Sequence, residues 1–297
     1  MAADTPAGGT TVRAHLQGLV PPESVAQRIF YPGDPAPGPD FDPSTLPLEI
    51  GDGRRLQADA ASEAACFEAH GFALLDHHLT GHAHRPDQLG ADDYARLYQG
   101  PIDTLVREGL FPGRRVEVDQ PLKPVCRGGD EESAYATWVH QDFGLTADDF
   151  ERNLAGIASP EAAGEWRARY DRAEVTGCVA ISLWQTLGMR HPLQHMPLAL
   201  CDPSSVEMAD VVDAAAAEGG RYHIGLRYNA GQLWYHFPAL RSDELIAFKL
   251  FECRKDDPGP ERLRSVFHAA FDDPATPAGA ERRQSCEHRA IVLLLAG

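Results

Sequence analysis

No C-x-x-C pair occurs among the six cysteines (Cys66, Cys126, Cys178, Cys201, Cys253, Cys286), which argues against a zinc knuckle or a close-spaced disulfide framework. They read as reduced, mostly buried thiols of a cytoplasmic protein. Basic residues are in deficit: 27 Lys and Arg stand against 44 Asp and Glu, a net charge of −17. Such an excess repels phosphate backbones and anionic headgroups, so neither nucleic acid nor a membrane is the expected partner. Apolar runs such as 290–296 fall far short of the ~20 residues that span a bilayer. Met1-Ala2-Ala3-Asp4-Thr5 shows no basic stretch leading into an apolar core, so no secretory leader is expected. No glycine-rich loop follows a strand pattern, which makes a Rossmann or P-loop nucleotide site improbable. Internal repeats are absent.

What is present suits one β-rich domain, because 297 residues suffice for a substantial core. Residues 1–60 are expected to form an extended proline-rich arm packed on the body. Pro32, Pro35, Pro37, Pro39, Pro43 and Pro47 cannot supply ladder hydrogen bonds, while Ile29, Phe30, Tyr31, Phe41, Leu46, Leu48 and Ile50 can pin the arm down. Residues 61–297 are expected to be the single main domain. Ser62 predicts a helix cap and Gly71 its end, followed by a buried strand from Phe72 to Leu75. Residues 91–109 have helical periodicity, which Pro101 is expected to split, and 147–173 bury Phe150, Leu154, Trp166 and Tyr170. A further helix is expected from near Val206 to Ala217. Beyond residue 175 short strand patterns dominate, including 179–184, 245–251, 266–271 and 290–295. Segments 223–228 and 233–237 are expected to form a hairpin around Asn229-Ala230-Gly231-Gln232, whose Asn and Gly tolerate positive φ. The expected class is mainly β with helical additions: a sandwich or jelly roll.

The chemistry-bearing residues begin with His140-Gln141-Asp142. In an extended segment, positions i and i+2 face one side, so imidazole and carboxylate can meet one ion. A third ligand, with His268 the candidate, completes a two-histidine, one-carboxylate facial set of the kind that holds Fe(II). The competing reading is a pair of ordinary core or surface histidines. Arg283 and Ser285 share a parity on a predicted strand and suit the far carboxylate of a dicarboxylic acid; Arg289 repeats that parity. The competing reading there is a solvated strand edge.

In this order, His140-x-Asp142, His268 and Arg283-x-Ser285 resemble the iron- and 2-oxoglutarate-dependent oxygenases. The stretches 71–75 (GFALL), 138–143 (WVHQDF), 196–202 (MPLALCD), 233–238 (LWYHFP), 243–244 (DE), 268–274 (HAAFDDP) and 282–289 (RRQSCEHR) are similar to one subfamily. It contains gibberellin desaturase-like proteins, the cephem 7α-methoxylase component and fungal meroterpenoid oxygenases. The resemblance implies a double-stranded β-helix of the cupin-like jelly-roll type, with Fe(II) on His140, Asp142 and His268. It further implies 2-oxoglutarate on Arg283 and Ser285, with Arg289 a further candidate, O2 as second co-substrate, and a specialised metabolite, antibiotics included, as the small-molecule substrate. The subunit is expected as monomer or homodimer. Tyr135, Trp138, Trp184, Tyr228 and Trp234 are the candidate substrate wall. One departure is Gln185 after Trp184, where the family often has arginine; Arg127, Arg190 and Arg227 are its candidate substitutes. Two alternatives stay open: a cupin-like lyase or isomerase that does not use 2-oxoglutarate, and a non-catalytic accessory protein of a biosynthetic pathway.

Overall fold

Strands with apolar residues on both faces need cover on both sides, and the longest strands here are of that kind. The computed structural model describes residues 11–22, 28–29, 44–79, 85–128, 135–214, 224–259 and 261–297. Within them run β1 (Val12–Leu19), β2 (Arg28–Ile29), β3 (Ser44–Asp52), β4 (Phe72–Asp76), β5 (Val116–Asp119), β6 (Val125–Arg127) and β7 (Val175–Thr186). After these come β8 (Leu198–Cys201), β9 (Val211–Ala214), β10 (Ile224–Leu226), β11 (Trp234–His236), β12 (Glu244–Arg254), β13 (His268–Ala270) and β14 (Ser285–Leu295). The larger sheet has the order β4-β12-β7-β14-β5, with β6 also paired to β14; the smaller has the order β1-β3-β11-β8-β13. A short third sheet, β10-β9-β2, completes the set.

Period-two alternation sorts the side chains into three layers. Cys178, Ala180 and Trp184 of β7, Ile246 and Phe248 of β12, and Ile291 and Leu293 of β14 meet Leu198 and Leu200 of β8 in the inner layer. The alternate residues Val179, Ile181, Leu183, Ala247, Ala290 and Val292 face outward onto Phe67, Tyr94, Tyr98, Ile102 and Val106. The far side of the smaller sheet buries Leu16, Ile50, Ala199, Cys201, Trp234 and Ala269. This mainly β double-stranded β-helix with helical additions is the fold class that the sequence predicts.

Local signals explain most helices. In helix Glu63–His70 the Ser62 side chain accepts from the Ala65 N–H, and Gly71 closes the helix at φ 76°. Helix Ala147–Ile157 begins with a reciprocal capping box between Thr146 and Asp149. Helix Pro160–Tyr170 follows, capped by Ser159, and Phe150, Leu154, Trp166 and Tyr170 are all buried as predicted.

Other expectations are corrected. The segment assigned to a surface arm contributes β1 and β3, antiparallel partners within the smaller sheet, so their ladder bonds hold them in it. The Pro32–Pro43 stretch, with Phe30, Tyr31 and Phe41, lies outside the described residues. Pro101 does not split its helix: 91–110 is a continuous helical run with wide π-type turns over Ala95–Gln99 and Leu105–Leu110. Such turns relax the hydrogen-bond ladder that a proline interrupts. The helix expected after Val206 is instead a 3-10 turn, Met208–Asp210, leading into β9, and 215–217 lie outside the described residues. Nor do β10 and β11 form a hairpin, since β10 pairs with β9 while β11 pairs with β3 and β8. Neither Asn229 nor Gly231 takes a positive φ.

Two glycines give opposite expectations. A Cβ on Gly71 meets Val266 Cγ2 at 2.8 Å and sits at φ +76°. Gly71→Ala is therefore expected to lower unfolding free energy by at least ~1 kcal/mol. Gly164 is exposed in a helix interior, with nothing within 4 Å of its Cβ position, so Gly164→Ala is expected to raise stability by ~0.5–1 kcal/mol. Urea midpoints of the two variants check both signs.

Candidate functional site

His140 precedes no regular strand, yet its backbone is paired reciprocally with His268 on β13. The His140 N–H donates to the His268 carbonyl at 3.2 Å, and the His268 N–H donates to the His140 carbonyl at 3.1 Å. Residues opposed in this antiparallel way project to one face, and the two ring centroids lie 4.2 Å apart. Asp142 follows on the same side, with Oδ1 3.8 Å from His140 Nε2. Gln141 turns the other way and is wholly buried. Its Nε2 donates to the carbonyls of Leu250 (2.6 Å) and Gly144 (3.1 Å), while Oε1 accepts from Phe143 N (3.1 Å) and Gly144 N (2.8 Å). Gln141 thus anchors the bend that aims its two neighbours.

The imidazoles share one arrangement. His140 Nδ1 lies 2.6 Å from the Trp138 carbonyl, and His268 Nδ1 lies 3.2 Å from the Val266 carbonyl. A carbonyl only accepts, so Nδ1 carries a proton in both rings and Nε2 is the nitrogen left for a ligand. Burial pushes the His268 pKa down to about 3, which keeps that ring neutral. Two imidazoles, each steadied by a backbone carbonyl, and one carboxylate are the donor types of a facial metal site. Their spacing is wider than a closed coordination sphere. Ligands at right angles with bonds of about 2.1 Å sit roughly 3 Å apart, and among the described residues no three His, Cys, Asp or Glu side chains reach metal-cluster spacing. By donor type and tautomer the residues fit an iron ion.

Arg283 and Ser285 stand beside this group. Arg283 is only 2% exposed, and burial lowers its pKa to about 9. Its Nη1 donates to the Met196 carbonyl at 2.6 Å, and its guanidinium lies 4.2 Å from the Tyr135 ring centroid and 5.5 Å from that of Trp184. Arg283 Nε and Ser285 Oγ are buried with no hydrogen-bond partner among the described residues. A buried cation with no paired carboxylate among the described residues, two positions from a hydroxyl without a partner there, has the chemistry to receive an anion. Arg289 differs. Its Nε donates to Glu287 at 2.5 Å and its Nη2 lies 3.5 Å from Asp142 Oδ2. Burial lowers the Arg289 pKa, but Glu287 and then Asp142 outweigh it and hold the guanidinium above its ordinary range.

His140, Asp142, His268, Arg283, Glu287 and Arg289 border one pocket between the sheets, with Arg127, Trp184, Leu198 and Phe248 in its wall. Of the expected aromatic wall, Trp184 lines the pocket and Tyr135 packs on Arg283, its hydroxyl donating to the Arg283 carbonyl at 2.8 Å. Trp138, Tyr228 and Trp234 do not line it. Trp138 packs against Gly18 of β1. Trp234 and Tyr228 belong to the layer outside the smaller sheet, because β11 alternation turns Tyr235 inward and Trp234 outward. Gln185 likewise points away from the pocket, with Nε2 3.1 Å from His288 Nε2. Arg127 is in the wall; Arg190 and Arg227 are not. The sequence reading omitted Glu287, although it has the parity of Ser285 and Arg289, and Gln141, which no composition signal marks.

Arg289→Met removes the cation between two mostly buried carboxylates and is expected to cost ~3 kcal/mol of stability. Adding Glu287→Gln is expected to restore part of that loss, with urea unfolding of both variants as the measurement.

Residues 30–293 match the family described as oxidoreductase/YMDC permease-like domain; among the described residues no helix is long and apolar enough to cross a membrane. The chain is 24% identical over 227 residues to Hydroxylase/desaturase CTB9 of Cercospora beticola, covering 72% of this chain and 57% of that protein. It is 26% identical over 117 residues to Aspirochlorine biosynthesis protein N of Aspergillus oryzae, covering 38% and 46%. Hydroxylase/desaturase asaB of Aspergillus flavus is 26% identical over 127 residues, covering 38% and 53%. The chain therefore spans about half the length of the curated relatives it matches. In structure it is similar to the iron and alpha-ketoglutarate-dependent endoperoxidase NvfI, with a TM-score of 0.68 at 22% identity over 97% of this chain and 100% of that one. At that identity the likeness is one of fold. With its family match running almost end to end, this chain belongs to the oxidoreductase/YMDC permease-like domain family.

Proposed function

We propose that the protein is an Fe(II)- and 2-oxoglutarate-dependent oxygenase that oxidises a small specialised metabolite, by hydroxylation, desaturation or rearrangement, with succinate and CO2 as co-products. The observation that carries this reading is the buried guanidinium of Arg283, with no carboxylate partner among the described residues, on the same pocket as His140, Asp142 and His268. A site for metal chemistry alone has no need of such a receptor, whereas a dicarboxylic co-substrate needs one. The names of the fungal relatives and of the structural neighbour support the same reading.

In this reading, Nε2 of His140, Nε2 of His268 and the Asp142 carboxylate hold the ion. When bound, iron with 2-oxoglutarate supplies the activation of dioxygen. Arg283 grips the distal carboxylate of 2-oxoglutarate through its unsatisfied Nε, and Ser285 adds its hydroxyl. Arg289 stays with Glu287 and Asp142, which holds the Asp142 carboxylate at the pocket. Trp184, Leu198 and Phe248 give the substrate carbon an apolar surface and exclude water.

Anaerobic addition of Fe(II) and 2-oxoglutarate tests this. The wild-type chain is expected to show the weak visible charge-transfer band of the chelate. His268→Ala is expected to abolish it, and Arg283→Ala to weaken 2-oxoglutarate binding by about 10–100-fold. Iron binding without the band overturns the assignment of 2-oxoglutarate, and no iron binding overturns the metal site.

A further inference from the structure

Two cysteines meet where β6 and β14 pair. Cys126 and Cys286 are direct partners in the register, flanked by Arg127 opposite Ser285 and Val125 opposite Glu287. Opposed residues on antiparallel strands have Cα atoms about 4.5–5.5 Å apart, inside the 4.4–6.8 Å range of disulfides. The two Sγ atoms lie 3.3 Å apart. Side-chain rotation alone can therefore close an S–S bond. Cys286 is fully buried, but Cys126 is partly open to solvent.

The same sheet supplies a comparison. Cys178 and Cys253 are also register partners, across β7 and β12. Their sulfurs, however, are bonded to other groups: Trp166 Nε1 at 3.4 Å and the Tyr170 hydroxyl at 3.5 Å. Both are buried, and burial raises both thiols above their ordinary range. The 126–286 pair is marked by its 3.3 Å sulfur separation and by the partial exposure of Cys126, although Cys286 Sγ also lies 3.7 Å from His288 Nε2.

We propose that Cys126 and Cys286 form a reversible disulfide in response to a hydroperoxide, a redox modification site separate from the metal and carboxylate groups. The hydrogen bond with Cys286 holds the Cys126 thiol below its usual range, while Cys286 is raised, so the more accessible sulfur is the one that ionises. The Cys126 thiolate attacks one oxygen of hydrogen peroxide, the O–O bond breaks, and a sulfenic acid and the first water result. Cys286 then attacks the sulfenic sulfur, the S–S bond forms, and the second water leaves. Two thiols lose two protons and two electrons, and one peroxide becomes two waters. The bond ties β6 to β14, and the neighbouring residues Arg127 and Glu287 line the pocket, so oxidation fixes one pocket wall. This proposal does not depend on the use of 2-oxoglutarate.

The test uses the full chain, reduced, then treated with a few equivalents of hydrogen peroxide, alkylated in denaturant and peptide-mapped. The expected result is loss of two of the six thiols, a mass lower by about 2 Da, and a cross-linked peptide containing Cys126 and Cys286. Dithiothreitol is expected to restore both thiols, and Cys126→Ser to abolish the cross-link. Recovery of Cys126 and Cys286 both alkylated overturns the proposal. So does a cross-link between Cys178 and Cys253 alone, or a sulfinic acid at Cys126 with no cross-link.

Discussion

Burial of both faces of the larger sheet is the constraint on which the molecule depends. A strand covered on two sides cannot shift by one residue without exchanging its layers. In β14 the inward set is Glu287, Arg289, Ile291 and Leu293, and the outward set is His288, Ala290, Val292 and Leu294. A slip would drive Glu287 and Arg289 into the apolar layer against the 91–110 helical run and place His288 in the pocket. Register and site are therefore one property. The long antiparallel ladders of β7 with β12 and β14 enforce it.

Charge in the pocket is arranged by the same logic. Asp142, Glu287, Arg289 and Arg283 sit at low exposure, where an uncompensated charge is costly. Arg289 is compensated by two carboxylates, whereas Arg283 has aromatic faces, one backbone carbonyl and, among the described residues, no paired acid. Aromatic faces soften the desolvation of a guanidinium without neutralising it. Two arginines six positions apart, Arg283 just before β14 and Arg289 within it, therefore differ in their compensation. Arg289, a candidate for 2-oxoglutarate by parity, is paired with Glu287 and Asp142.

Much of this was legible in the chain. The His140-x-Asp142 spacing, a later histidine and Arg283-x-Ser285 follow from same-side geometry, and the alternation of 285–295 marks a strand with two distinct faces. Three aromatics were misplaced because an aromatic residue near a motif in sequence can lie on either face; Trp234 and Tyr235 differ by one position and by a whole sheet. The strands in 1–60 were hidden by the prolines beyond them, although Val12 to Gln17 does alternate. The expected hairpin around Asn229 failed because turn residues report a local bend, not the identity of a strand's partner.

The sequence by itself determined donor types, their order and the face each occupies, since these depend on local backbone periodicity. Only tertiary structure decided that His140 lies opposite His268, through two reciprocal backbone hydrogen bonds between distant segments. It also decided that Cys126 faces Cys286 and that Arg283 has no counter-ion among the described residues. Those facts are products of non-local strand pairing, which period-two patterns permit in many registers and which burial of the complete sheet reduces to one.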